Sequence, residues 1–139
     1  MSNDQSQLQV LTPGAYLRAR RWVAGLSIDE VAARLSTDPR LGEVDRIDLL
    51  KSIEADVAPA SFSTIVALRI VFSLDLDALA LLDAIARGQM PISVAPVLCA
   101  LCGSQPGDII PSHLKWLRTD RCPVCTTFAA PAEPIGAAA

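Results

Sequence analysis

The sequence predicts a mainly α-helical protein, five short helices followed by a small cysteine module, and three observations carry that prediction. Apolar residues recur every three or four positions over most of the chain between residues 12 and 88. Hydrophobic residues make up 51% of the 139 positions and aromatic ones only 4%, an Ala, Leu, Val and Ile composition that favours helices over strands. All four cysteines fall inside one stretch, "CALCGSQPGDIIPSHLKWLRTDRCPVC", from Cys99 to Cys125.

Each helix has its own start and stop. Thr12-Pro13 offers a capping hydroxyl followed by a proline whose missing N–H costs nothing in a first turn, which predicts a helix from Pro13 to Ala24, closed by Gly25. Ser27 with Glu30 three residues on reads as a capping box for a second helix that runs to Leu35 and buries Ile28, Val31, Ala32 and Leu35. Pro39 and Gly42 make residues 36–42 a connection. Val44, Ile47, Leu50, Ile53 and Val57 then mark a third, amphipathic helix from Glu43 to Val57. After Pro59 and Ser61, residues 62–72 are almost wholly apolar with one charge, Arg69, and predict the central, most buried helix. Asp75 caps a fifth helix that reaches Arg87 and stops at Gly88.

The organisation follows: residues 1–11 a disordered start, 12–88 the helical domain, 89–98 an uncharged linker with Pro91 and Pro96, 99–126 the cysteine module, and 127–139 an Ala/Pro-rich disordered tail. No apolar run reaches the roughly 20 uncharged residues of a spanning helix, and residues 1–10 carry neither a basic start nor an apolar stretch. These features predict a cytoplasmic protein without a membrane partner. In a reducing compartment four cysteines bind metal or run redox chemistry more readily than they form structural disulfides.

The pairs Cys99-x-x-Cys102 and Cys122-x-x-Cys125 stand 19 residues apart, the spacing of a four-thiolate zinc site. Two residues between ligands let a tight knuckle aim both sulfurs at one ion, and Gly103 lets the backbone turn beneath it. Four thiolates close a tetrahedral shell without room for water, so the expected cofactor is structural Zn2+; iron suits the same cage. The module resembles zinc ribbons or rubredoxin-like knuckles. His113, the only histidine, is surplus to such a shell. Ile109, Ile110, Leu114, Trp116 and Leu117 supply apolar packing for a module too small to fold without metal.

Two further stretches carry a family resemblance. "LRARRWVAGLSIDEVAARL" (residues 17–35) resembles XRE-type, phage-repressor helix-turn-helix domains in Leu17, Arg18, Arg21, Gly25, Leu26, Ser27, Val31, Ala32 and Leu35. "SIEADVAPASFSTIVALRIVFSLDLDAL" resembles the end of that domain in Ile53, Glu54, Ser61, Thr64, Ile65, Leu68 and Asp77. The resemblance covers about residues 12–87 and implies a five-helix helix-turn-helix domain that binds double-stranded DNA as a non-enzymatic transcriptional regulator.

The cations available for DNA are Arg18, Arg20 and Arg21 on the first helix, Arg34 on the second, Arg40 and Arg46 nearest the groove, and Lys115, Arg118 and Arg121 around Trp116. The same arginines on the first helix read equally as a solvated face, and the patch around Trp116 suits an acidic partner as well as phosphate.

Three departures from the family pattern carry an alternative. The interval from Leu35 to Ile53 is longer by about two helical turns, Ile28 stands where the family often has Gln, and residues 38–56 hold six acidic against three basic side chains. Together with a net charge of -3 they point to a protein-interaction adaptor that keeps the helix-turn-helix fold and has lost DNA binding. The chain shows no nucleophile–base pair, no Gly-rich phosphate loop and no open metal position, so no enzyme is expected. A second copy of the chain, as a homodimer, remains open as a partner.

Overall fold

A computed structural model describes residues 10–99, 101–105, 122 and 125. Five α-helices follow in order, α1 (Pro13–Val23), α2 (Ile28–Arg34), α3 (Glu43–Glu54), α4 (Phe62–Val71) and α5 (Leu76–Ala86), then a single 3-10 turn at Ile92–Val94. No strand occurs among the described residues, so the protein is mainly α.

Side-chain caps start four of the five helices. Thr12, Ser27, Ser61 and Asp75 each accept a hydrogen bond from the backbone N–H three residues on, at Ala15, Glu30, Thr64 and Ala78. α3 begins at Gly42 without one and carries Glu43 and Asp45 in its first turn, where acidic charge suits the helix dipole.

The helix ends are less uniform. α1 and α5 stop at Gly25 and Gly88 as the sequence predicts, but α3 stops at Glu54 and not at Val57. Asp56 takes a left-handed conformation, φ 58°, and Val57 N–H returns to Ser52 O at 2.9 Å, the crossed pattern that usually needs glycine. Aspartate tolerates that conformation because its short polar side chain finds local partners. Here Oδ1 of Asp56 accepts from Gly14 N–H at 2.8 Å and so ties the end of α3 to the start of α1. The approach is close enough that a β-carbon at Gly14 would meet Ile53 O at 2.5 Å.

α3 packs on both α1 and α2, α5 runs against α1, and α4 meets α2. The core between them is built by Tyr16 and Leu17 of α1, Val31 and Ala32 of α2, Leu50 and Ile53 of α3, Leu68 of α4 and Leu79 and Leu82 of α5. Each of the Val, Leu and Ile side chains removed from water contributes about 1.5–3 kcal/mol. Within this core Arg21, only 5% exposed, grips Glu54 with two bonds of 2.6 and 3.0 Å and also donates to Leu26 O. A fork-to-carboxylate pair of this kind satisfies the buried charges and fixes how α1 lies on α3.

The expectation that α4 is the most buried helix is corrected. Only Thr64 and Leu68 of α4 are buried, whereas Phe62 is 79% and Ile70 83% exposed, with Val66 between them on the same face. Apolar composition permits burial without requiring it, and α4 lies at the edge of the bundle with one stripe inward. The most enclosed side chains are spread over α1, α2, α4 and α5 as single residues, Tyr16, Val31, Leu68 and Leu82, and Cys99 and Cys122 are as enclosed in a cluster of their own. No described helix is long and apolar enough to cross a membrane.

Candidate metal centre

The segment after α5 returns to the helical body before the first cysteine. Leu98 is buried as part of the helical core, and this anchors Cys99 immediately behind it. From there the chain makes a tight knuckle: Gly103 N–H donates to Cys99 O at 2.8 Å and Cys99 N–H to Ser104 O at 2.9 Å. Gly103 has φ 71°, and an added β-carbon would lie 3.0 Å from Arg20 Cδ and 3.1 Å from Tyr16 Cε2. Only a residue without a side chain turns this corner and lies flat on α1.

The sulfurs of Cys99, Cys102, Cys122 and Cys125 all lie within 4.8 Å of one another, and the first three are buried. All four are free thiols, with Cys102 and Cys122 sulfurs 3.6 Å apart. A tetrahedral shell with metal–sulfur bonds of about 2.3 Å places its sulfurs about 3.8 Å apart, so the four residues present fit a metal ion with little movement. Backbone and hydroxyl groups complete the surroundings: Cys125 N–H points at Cys122 Sγ at 3.5 Å, and Ser104 Oγ lies 3.0 Å from Cys102 Sγ. Such outer bonds orient thiolate ligands.

The electrostatics agree with a cation site. A hydrogen bond from Cys102 holds the Cys99 thiol down at about 4, against the opposing effect of burial. The same bond and burial push Cys102 upward, and burial pushes Cys125 up to about 12. The shifts thus run in opposite directions within the cluster, with Cys99 favouring the thiolate and Cys102 and Cys125 the thiol. A divalent cation at the centre would favour the thiolate form of Cys102 and Cys125 as well.

Two residues of α1 that cysteine spacing does not reveal hold the knuckle in place. Arg20 donates from Nε to Ser73 O at 2.9 Å and from Nη1 to Cys102 O at 3.1 Å. Tyr16 lies against Gly103, and its hydroxyl accepts from Asp75 N–H at 2.9 Å. One face of α1, residues 16 and 20, therefore joins the α4–α5 connection to the cysteine knuckle. Their spacing of four along a helix was visible in the sequence, but nothing there marked what that face would meet.

The cations read from the sequence fall into three groups. Arg20, Arg21 and Arg46 are tied into the fold: Arg20 to the knuckle, Arg21 to Glu54, and Arg46 to Ala32 O at 2.7 Å and Leu41 O at 2.6 Å. Arg34 and Arg40 are exposed and come together with Arg46 around a cleft that Ser36 and Thr37 also line, while Arg18 of α1 lies apart from it. Lys115, Arg118 and Arg121, with His113 and Trp116, lie outside the described residues. Ser36 and Thr37, the hydroxyls between Arg34 and Arg40, went unremarked in the sequence, where the run Arg-Leu-Ser-Thr-Asp-Pro-Arg reads only as a turn. Compared with protein-family models, curated proteins and solved structures, the chain matches none.

Proposed function

We propose that this chain is a DNA-binding transcriptional regulator of the XRE helix-turn-helix type, steadied by a structural zinc ion on Cys99, Cys102, Cys122 and Cys125. The observation that carries the reading is the two-part match over residues 17–35 and 52–79, which falls on α1–α2 and on the end of α3, all of α4 and the first turn of α5. The four-residue connection between α1 and α2 and the exposed cations Arg34 and Arg40 beyond α2 support it. Zinc bound by four thiolates leaves no position for water, and its part is to hold the knuckle against α1. Cys99, Cys102, Cys122 and Cys125 are the ligands, and Arg20 with Tyr16 seats them.

The test is binding of the metal-loaded protein to a pool of genomic DNA fragments across a salt series. Selective enrichment of a sequence, with affinity falling steeply as salt rises, is the expected result. Absence of enrichment sinks the regulator. Metal content by mass spectrometry, expected at one zinc per chain, separates zinc from iron.

A second reading has its own observation. Phe62, Val66 and Ile70 form an exposed apolar stripe on α4, and the exposed acidic side chains Glu43, Asp45 and Asp48 of α3 repel phosphate. Both features suit an adaptor that binds protein through the same fold. A pull-down that survives high salt while DNA enrichment fails favours it.

A further inference from the structure

The corner between α2 and α3 holds a cleft of about 350 Å³, lined by Ala33, Arg34, Leu35, Ser36, Thr37, Arg40 and Arg46. Three guanidinium groups and two hydroxyls line it, and no carboxylate does. Asp38 lies in the same loop, outside the lining.

The fold prepares the floor of this cleft. Arg46 reaches back from α3 and donates through Nε to Ala32 O and through Nη1 to Leu41 O, at 2.7 and 2.6 Å. These bonds fix the guanidinium plane and neutralise a carbonyl at the α2 C-terminus that would otherwise repel an anion. They leave the Nη2 group of Arg46 without an acceptor among the described residues. Thr37 Oγ1 accepts from Leu41 N–H at 2.8 Å, which orients its hydroxyl and leaves its hydrogen to donate outward. Arg34 and Arg40 have no ion-pair partner among the described residues.

We infer that this cleft binds a phosphate group, with Arg46 as the fixed contact, Arg34 and Arg40 closing on the remaining oxygens, and the Ser36 and Thr37 hydroxyls donating. Planar guanidinium forks match phosphate oxygens two at a time, and three around one space without an opposing carboxylate are otherwise mutually repulsive. The volume lies at the lower end of small-molecule sites and admits a phosphate with its attached sugar. A phosphodiester of a DNA backbone and a free phosphorylated small molecule share this chemistry. The first source rests on the regulator reading; the site does not.

The experiment follows the arginine Nε–Hε signals of the metal-loaded chain by NMR, with two probes: inorganic pyrophosphate and a mixed-sequence DNA duplex. The variants are Arg34→Gln, Arg40→Gln and the double variant, with the exposed Arg69→Gln of α4 as control. Both cleft variants remove charge at exposed positions, so the fold is retained, and circular dichroism checks it. We expect pyrophosphate to shift the Arg34, Arg40 and Arg46 signals. We expect the double variant to bind the duplex about tenfold or more weakly, with a salt slope flatter by about 2, while Arg69→Gln stays within about twofold. Pyrophosphate shifts with a duplex that does not bind keep the site and assign it to a small phosphorylated ligand, and the regulator reading fails. Duplex binding with an unchanged salt slope in the double variant, and no pyrophosphate shifts, overturns the site and leaves the regulator reading standing. Silence of both probes overturns both.

Discussion

The two ends of the helical body use the same side chain for opposite purposes. At the α1 face, Arg20 and Arg21 are enclosed by acceptors, Ser73 O and Cys102 O for one and Glu54 for the other. At the α2–α3 corner, Arg34 and Arg40 face solvent beside a third arginine that is only half engaged. A tally of cations in the sequence weighs these equally. A hydrogen-bond account does not, because a guanidinium already satisfied by buried acceptors must break those bonds before it can serve a partner. The contrast teaches that the first end is built for cohesion and the second is free to bind.

The largest way to break the comparison is to remove the metal ion proposed for the four-cysteine cluster. A Cys102→Ser variant, or a strong chelator, is expected to lose stoichiometric metal and release the knuckle, since four-cysteine zinc binding supplies about 10–16 kcal/mol to small folds. The amides of Cys99 and Gly103 should lose hydrogen-exchange protection, and Ser73, whose carbonyl shares Arg20 with Cys102, should change its chemical shift. Retention of metal with protected amides after Cys102→Ser would refute the four-thiolate arrangement. Metal uptake should also release at least two protons near neutral pH, because Cys102 and Cys125 are both pushed above their ordinary range and must ionise to bind. Affinity therefore rises with pH, and an indicator-dye titration reads the protons directly.

Next in size is Arg21→Ala, which leaves the Glu54 side chain, only 11% exposed, without its fork. A loss of about 3–5 kcal/mol is expected by urea denaturation. The double variant Arg21→Met with Glu54→Leu should recover much of it, because the pair then leaves no orphan charge behind. A loss below 1 kcal/mol for Arg21→Ala would show that the pair is wetter than its geometry states.

These two predictions also mark what the sequence could and could not disclose. All five helix starts were legible: Thr12, Ser27, Ser61 and Asp75 cap through local bonds to residues three positions on, and α3 begins at Glu43 directly after Gly42, as expected. The cysteine cluster was legible for the same reason: ligand spacing is local within each pair. The end of α3 was not, since Asp56 occupies a position where only a glycine would have announced the stop. The exposed stripe of α4 and the Arg20–Cys102 contact were not either. Both depend on which elements meet far apart in the chain, α4 on α2 and Arg20 on Ser73 and Cys102, and no local pattern encodes that.

Arg20→Ala sharpens the comparison at intermediate size. It removes charge-assisted bonds to two carbonyls at once, and a loss of about 1.5–3 kcal/mol is expected with metal bound. Arg20→Lys should recover little, because a single ammonium on a flexible stem does not span Ser73 O and Cys102 O as the planar fork does. Metal should leave faster in the presence of chelator in both variants. Unchanged release would mean that the knuckle holds its own shape without α1.

The smallest effect is the decisive contrast. Arg40→Ala, like Arg34→Ala, should change stability by less than about 0.5 kcal/mol, since neither side chain donates to a backbone acceptor among the described residues. The same chemical change thus costs several kcal/mol at Arg21 and almost nothing at Arg40, and urea midpoints measured side by side read the difference. A cluster of like charges retained where it adds no stability is itself repulsive. Arg40→Ala should even stabilise slightly at low salt, with the gain fading as salt screens Arg34 and Arg46. A clear loss at low salt would mean that Arg40 already holds the α2–α3 corner together, and the division between a cohesive end and a binding end would fall.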